Sequence, residues 1–323
     1  MVKAIRIHET GGPEVMRWED VELPAPGLGQ VLVRSTAVGL NYIDTYHRSG
    51  LYPMPLPLTL GMEGAGMVEA VGPKVKEFKP GDHVAYAAPI GSYSERCLRP
   101  ADRVVKIPKG VDDRVAAAMM LKGMTAWYLL RRTHVVKKGD TILVHAAAGG
   151  VGQILSQWGK ALGARVIGTV GSEAKVAAAK KAGCKDVIVL GQGKLADKVK
   201  ELTKGAGVPV VYDGIGKDTF NDSLDCLRPL GLMVAYGNAS GPVPPVNLGI
   251  LSQKGSLYVT RPTLMTYTAK REDLVKAASD LFAVVKARKV KIAINQTYPL
   301  AEAAQAHRDL EARKTTGSTV LLP

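Results

Sequence analysis

The sequence predicts an α/β protein: a β domain with loops, interrupted by a doubly wound parallel sheet. Three observations carry the prediction. Short β-branched runs separated by prolines fill the first third, strands and helices alternate through the middle, and the tail abandons that alternation. At 323 residues the chain has room for about two domains.

In the first third, Val2–His8 alternates in polarity and Gly29–Val38 is a β-branched run, as is Gly64–Val71. Prolines such as Pro24, Pro26, Pro53, Pro55, Pro57, Pro73 and Pro80 exclude long helices here. From Val111 the stretch DDRVAAAMMLKGMTAWYLLRRT is apolar at helical spacing, which predicts two helices broken near Gly123. Predicted strands then follow at 141–147, 165–170, 185–190, 208–212, 231–236 and 257–260. Helices at 150–162, 172–182, 194–204 and 218–227 separate them, with Ser172 expected as an N-cap and Gly183 as a stop. Apolar strands bracketed by amphipathic helices mean a parallel sheet covered on both faces. The tail reads as a helix at 271–287, a strand at 291–296, a helix after Pro299 and a strand at 318–322. It is expected to return to the N-terminal domain.

Composition bounds the function. Hydrophobic residues are 46% and charged residues 22% of the chain, the balance of a globular protein. No apolar run reaches the ~18 residues of a membrane helix, and Lys3, Arg6 and Glu9 argue against a secretory leader. Cys97, Cys184 and Cys226 stand in no close pair, which fits a reducing compartment, with the cytoplasm as the default. A net charge of +14 suits an anionic partner, whether nucleic acid or a phosphorylated small molecule. Eight lysines between Ala174 and Lys204 read as the solvated faces of two helices, and an aromatic content of 5% speaks against a base-stacking surface.

The strongest motif is ILVHAAAGGVGQI at 142–154, a strand running through Ala147-Ala148-Gly149-Gly150-Val151-Gly152 into a helix. This is the dinucleotide fingerprint with Ala147 in place of its first glycine. Gly149 admits a pyrophosphate to the backbone, Gly152 lets helix and strand approach, and the helix start points N–H groups at the anion. At the tip of the next strand, Gly168-Thr169-Val170-Gly171-Ser172-Glu173-Ala174-Lys175, no acid stands at the strand end. Ser172 and Lys175 suit a 2′-phosphate and hence NADPH. Glu173 allows the alternative, a ribose ligand with NAD preference, or simply an acid favouring a helix dipole.

NYIDTYHRSGLY (41–52), LGMEGAGMV (60–68), LKGMTAWYLL (121–130), HAAAGGVG (145–152), YGNASG (236–241) and KGSLYVTRP (254–262) together resemble the zeta-crystallin-type NADPH:quinone oxidoreductases. These are zinc-independent members of the medium-chain dehydrogenase/reductase superfamily. The resemblance spans nearly the whole chain. It implies a GroES-like β domain (residues 1–123 and 262–323), an inserted Rossmann domain (124–261) that binds NADPH, an active cleft between them, and a homodimer joined through the Rossmann sheets. It also implies no metal. Zinc-dependent relatives carry Cys near the position of Leu40 and His in a G-H-E motif, whereas this chain has Leu40 and Gly61-Met62-Glu63. Cys97 and His83 alone do not complete a tetrahedral set, and Glu63 reads as a structural hydrogen-bonding residue.

The chemistry that follows is hydride transfer, without metal or flavin, to an acceptor that spreads negative charge by itself. A quinone fits, since its reduced anion is phenolate-like; a conjugated C=C bond in an enone or alkenal is the alternative. The resemblance points to Asn41, Asp44, Tyr46 and Tyr52 for catalysis. Asn41 would anchor the nicotinamide side or donate to the acceptor oxygen, the tyrosines would supply flat walls and phenolic donors, and Asp44 would orient a tyrosine or a water. His47 is expected at the surface. For cofactor binding it points to Asn41, Tyr128, Gly149, Gly150, Val151, Gly152, Gly171, Ser172, Lys175, Asn238 and Arg313. Two departures touch that set: Leu190 stands where relatives often hold a tyrosine beside the adenine, and Asp213-Gly214-Ile215-Gly216 lacks a hydroxyl of the relatives' D-S-V-G. Some relatives serve as lens proteins or bind AU-rich RNA, so RNA is a secondary expectation from another class of function.

Overall fold

A computed structural model describes all residues, Met1–Pro323. The chain divides into two compact units. One comprises Met1–Met124, Thr268–Lys286 and Ile292–Pro323; the other comprises Thr125–Tyr267 and Ala287–Lys291.

The first unit opens with β1 (Val2–Ile7), β2 (Arg17–Val21), β3 (Gln30–Leu40), α1 (Tyr42–Ser49), β4 (Leu58–Thr59) and β5 (Glu63–Val71). β6 (His83–Ala87), β7 (Arg96–Pro100), β8 (Val104–Lys106) and α2 (Asp113–Ala117) follow. The stretch 41–52, in a third of the chain read as strands and loops, therefore includes a helix. The reason is local. Asn41 and Asp44 cap each other reciprocally, the Asp44 carboxylate accepting the Asn41 backbone N–H at 2.9 Å, and Gly50 ends the helix in the left-handed region at φ 81°. The predicted break at Gly123 also moves. α3 (Met120–Tyr128) runs through Gly123, and the interruption falls between α2 and α3 instead. Glycine is needed at 123 for contact, because a Cβ there would lie 2.5 Å from Leu281 Cδ1.

The second unit contains β9 (Thr141–Val144), α4 (Gly150–Ala161), β10 (Arg165–Val170), α5 (Val176–Lys181), β11 (Asp186–Val189), α6 (Leu195–Leu202), β12 (Val208–Asp213), α7 (Phe220–Asp225), β13 (Leu227–Ala235), α8 (Gly249–Gln253) and β14 (Tyr258–Thr260). Its six strands are all parallel in the order β11-β10-β9-β12-β13-β14. In sequence order that is 3-2-1-4-5-6, the doubly wound dinucleotide-binding topology. Leu143, Ile167, Val211 and Met233 share one face of the sheet and are buried with Leu195, Val199 and Leu224 from its helices, while Ile142, Val166, Val210 and Val234 on the other face are buried too, so the apolar runs are core on both faces. Ser172 stands at the N-cap position of a 3₁₀ turn (Glu173–Lys175) without a side-chain cap bond, and the α-helix proper starts at Val176.

After α9 (Leu264–Tyr267), the chain re-enters the first unit with α10 (Arg271–Lys286), β15 (Ile294–Pro299), α11 (Ala303–Glu311) and β16 (Ser318–Leu322). β16 pairs antiparallel with β3, Thr319 opposite Leu40, and closes the seven-stranded sheet β15-β16-β3-β5-β6-β8, which β7 joins through β3. The expected return of the tail is thus made by backbone pairing. It is anchored by Leu300, Ala303, Ala306 and Leu321 buried with Ile5, Val38 and Leu60.

Candidate active site

In the second unit the strand β9 ends at Val144, and the chain turns through 145–149 into α4. Gly149 is the extended N-cap of this helix, no side chain caps it, and its first turn holds no acid. The leading N–H groups at Gly150, Val151 and Gly152 thus face outward with the positive end of the helix dipole. A Cβ on Gly152 would lie 2.2 Å from the Ala146 carbonyl, so only glycine brings helix and turn this close. Around Gly171 a Cβ would meet nothing, which leaves open space at the end of β10 beside exposed Ser172 and half-buried Lys175. Pyrophosphate and an adjoining phosphate fit this donor set.

Buried polar groups brace these turns. Asp213 Oδ1 accepts the N–H groups of Ile215 and Gly216 at 2.7 and 3.1 Å, and Oδ2 accepts the hydroxyls of Thr219 and Ser223 at 2.7 and 3.0 Å. His145 bridges Thr169 and Ser223 at 2.9 Å each, and burial holds its pKa below the ordinary value, so the ring is neutral. The D-G-I-G turn is therefore shaped by Asp213, whichever residue follows it. Asn238 sits opposite this turn, its Cα 3.2 Å from where a Cβ on Gly216 would lie. Tyr128 is buried and stacks on Tyr267 with centroids 4.6 Å apart. Leu190 packs against the core of this unit, and Glu173 accepts a hydrogen bond from Gln192 at 3.0 Å.

In the first unit α1 gathers Asp44, Tyr46 and His47, with Asn41 at its cap. Tyr46 and Tyr52 meet edge to face, centroids 5.2 Å apart, and Tyr42 lies 6.4 Å from Tyr46. His47 is 8% exposed rather than at the surface, its ring 6.1 Å from that of Tyr52, and burial lowers its pKa. Asp44 is fully buried. Its Oδ2 accepts from Tyr93 Oη at 3.0 Å, while Oδ1 has no hydrogen-bonding partner in the protein. Burial, partly countered by the Asn41 N–H, pushes its pKa up to about 7. Behind Tyr93 stands His307, Nε2 at 3.1 Å from Tyr93 Oη and Nδ1 at 2.9 Å from Arg48 Nη1. Arg48 can only donate and Tyr93 already donates to Asp44, so His307 is the Nε2–H tautomer. Burial depresses its pKa to about 3. Arg48 forms a paired contact with Glu311 at 2.7 and 3.1 Å.

Beneath Asn41 lies a second buried carboxylate, Glu63. It accepts the Asn41 Nδ2 at 3.1 Å, the Leu121 N–H at 2.6 Å and the ammonium of Lys122. Glu63 is thus a hydrogen-bonding residue, as its sequence context implied. Leu40 and Met62 beside it are apolar and buried, and no three His, Cys, Asp or Glu side chains converge as a metal-ligand set. Arg313, in the first unit after α11, acts electrostatically on the Tyr42 phenol.

Two family models match the chain: "Alcohol dehydrogenase GroES-like domain" over residues 27–109 and "Zinc-binding dehydrogenase" over residues 150–283. Over its whole length the chain is 55% identical to the whole of a quinone oxidoreductase from Pseudomonas aeruginosa. It belongs to the quinone oxidoreductase branch of the medium-chain dehydrogenase/reductase superfamily. Within that branch it is also 48% identical to a 2-haloacrylate reductase from Burkholderia, covering 100% of this chain and 99% of that one. The structure of Escherichia coli quinone oxidoreductase complexed with NADPH superposes with a TM-score of 0.98 at 48% identity, covering 99% of this chain and 100% of that one. Membership in this branch accounts for the combination of a β domain and a doubly wound domain.

Sequence reasoning missed Lys122, Tyr93 and His307. For Lys122 a signal existed: it is the one charge in the apolar run LKGMTAWYLL and is 5% exposed. Tyr93 and His307 reach Asp44 only through tertiary contact, the tyrosine from 49 positions away and the histidine from 214 positions beyond the tyrosine.

Proposed function

We propose that this chain is an NADPH-dependent quinone reductase. The observation that carries the reading is full-length correspondence with quinone oxidoreductases, at 55% identity for the Pseudomonas aeruginosa enzyme, in a chain whose uncapped helix start at Gly150–Gly152 offers N–H groups to a phosphate. When bound, NADPH supplies a hydride. Gly149, Gly150, Val151 and Gly152 hold its pyrophosphate; Gly171, Ser172 and Lys175 take the 2′-phosphate. Tyr128 and Asn238 are further cofactor residues of this unit, and Asn41 is the cofactor residue of the other.

The second unit is accordingly the cofactor domain and the first the acceptor domain. Tyr46 and Tyr52 form the aromatic wall for a flat acceptor, and Asp44 fixes the cap of α1 and the Tyr93 hydroxyl. A quinone that takes up a hydride becomes a delocalised phenolate-type anion. Water supplies the remaining proton, so the balance is quinone plus NADPH plus a proton to hydroquinone plus NADP⁺. Leu40 and Met62 beside Glu63 are apolar and supply no ligand of the kind zinc takes.

Reduction of a conjugated C=C bond is the second reading, favoured by the 48% identity to a 2-haloacrylate reductase. Steady-state oxidation of NADPH with a benzoquinone, a naphthoquinone, 2-chloroacrylate and an alkenal separates the two. Turnover confined to the alkenes would overturn the quinone assignment.

Self-association through β14 fits the exposed edge of the parallel sheet, where Tyr258 is 60% and Val259 41% exposed. A cytoplasmic location fits three free, buried cysteines, and no helix is long and apolar enough to cross a membrane.

A further inference from the structure

Asn41 carries one side-chain amide with two hydrogens and one carbonyl oxygen. Its Nδ2 lies 3.1 Å from Glu63 Oε1 and 3.3 Å from the Gly39 carbonyl, both of them acceptors. That environment determines which end of the amide is nitrogen, because the flipped orientation would set Oδ1 against a carboxylate and a carbonyl. Both hydrogens are therefore occupied. Oδ1 faces the Asp44 N–H in the cap of α1 and, with two lone pairs, keeps capacity for one further donor.

The carboxylate that imposes this is itself held. Glu63 is fully buried, with Oε2 on the Leu121 N–H at 2.6 Å and Oε1 on the Lys122 ammonium. Gly39 makes the space, since a Cβ there would lie 2.3 Å from Glu63 Oε1 and 2.2 Å from the Ala117 carbonyl. Three segments of chain thus converge to orient one amide.

We infer that Glu63 and Lys122 are positioning residues that make Asn41 an obligate hydrogen-bond acceptor toward its ligand. This rests on the reading of the chain as an NADPH enzyme and assigns the ligand group: an N–H donor, the carboxamide NH₂ of the nicotinamide. It also removes one of the two roles expected from the sequence, because Asn41 has no hydrogen left to give to the acceptor oxygen.

The test compares dissociation constants of NADPH and its reduced 3-acetylpyridine analogue, which keeps the carbonyl and lacks the NH₂. Wild-type protein should bind NADPH about 10-fold more tightly, the worth of one hydrogen bond in an enclosed site. In Asn41→Ala the two ligands should bind alike. In Glu63→Gln the neighbouring amide lets Asn41 turn its own amide over, and the preference should fall to about 3-fold or less. If Glu63→Gln alone does not fold, as judged by circular dichroism and thermal unfolding, Glu63→Gln/Lys122→Met leaves no buried charge unpaired and carries the same expectation. A wild type that does not distinguish the ligands, or a folded Glu63 variant that keeps the full preference, overturns the inference. The underlying reading fails separately, if wild-type protein does not oxidise NADPH with any quinone.

Discussion

The turn at Gly149–Gly152 and the cap of α1 do their work by opposite means. The turn is backbone: N–H groups at a helix start, a glycine that admits the Ala146 carbonyl, and no titratable side chain among its four residues. The α1 cap is side chains, with two buried carboxylates, an ammonium, a tyrosine and a histidine drawn from five segments around one asparagine. A backbone site depends on spacing within a dozen residues. A buried ionic site depends on every partner being present, because a charge left alone in the interior is costly.

The widest gap between them should show in stability. Lys122→Met leaves Glu63 buried without its cation and should lower the free energy of unfolding by about 3–5 kcal/mol in urea titrations. A loss under 1 kcal/mol would mean that the pair is dispensable. Gly152→Val strikes the backbone site instead. With a Cβ forced 2.2 Å from the Ala146 carbonyl, the turn must shift, and NADPH affinity measured by calorimetry should drop about 100-fold or more, while quinone binding stays unchanged. Lys175→Ala should be milder, reducing the preference for NADPH over NADH about 10-fold through loss of one phosphate contact. Equal affinity for both cofactors in the wild type would remove the 2′-phosphate assignment.

The smallest effect sharpens the comparison, because only the side-chain site titrates. Asp44 has its pKa raised to about 7, chiefly by burial, so the folded state binds a proton that the unfolded state releases, and stability falls as pH rises toward 7. His307 has its pKa lowered to about 3 by burial and by Arg48, so stability falls as pH drops below 6.5. Between about pH 4 and 6.5 the two slopes, each about 1.4 kcal/mol per pH unit, oppose each other. Of the groups around them, Tyr93 hydrogen-bonds to both, Lys122 and Glu63 act on Asp44, and Arg48 acts on His307. His145 and His47, also lowered by burial, add to the acid loss, so wild-type stability should fall toward acid, but less steeply than that of a variant lacking Asp44. Asp44→Asn should uncover the histidines and lose stability more steeply as acid is added. An Asp44→Asn profile no steeper than that of the wild type would show that the groups do not titrate as described.

The same contrast explains what was legible. The parallel sheet and the fingerprint were readable because apolar runs, helical periodicity and glycine spacing are local. The helix at 42–49 was missed although Asn41 and Asp44 stand at capping-box spacing, because the prolines and glycines around it dominate that stretch. Gly123 was read as a breaker because glycine destabilises helices in isolation. Against Leu281 its missing side chain is what lets helix and neighbour approach. His47 was expected at the surface because the family pattern requires no role for it, and folding buries it beside Tyr52.

What the sequence determined by itself was the order of layers and the phosphate turn, since both follow from periodicity and from backbone that only glycine permits. Which way the Asn41 amide points, which tautomer His307 adopts and where Asp44 titrates were decided only by tertiary structure. Burial brings Glu63, Lys122, Tyr93 and Arg48 together from positions far apart in the chain, and at such distances no spacing in the sequence records that they will share one low-dielectric site.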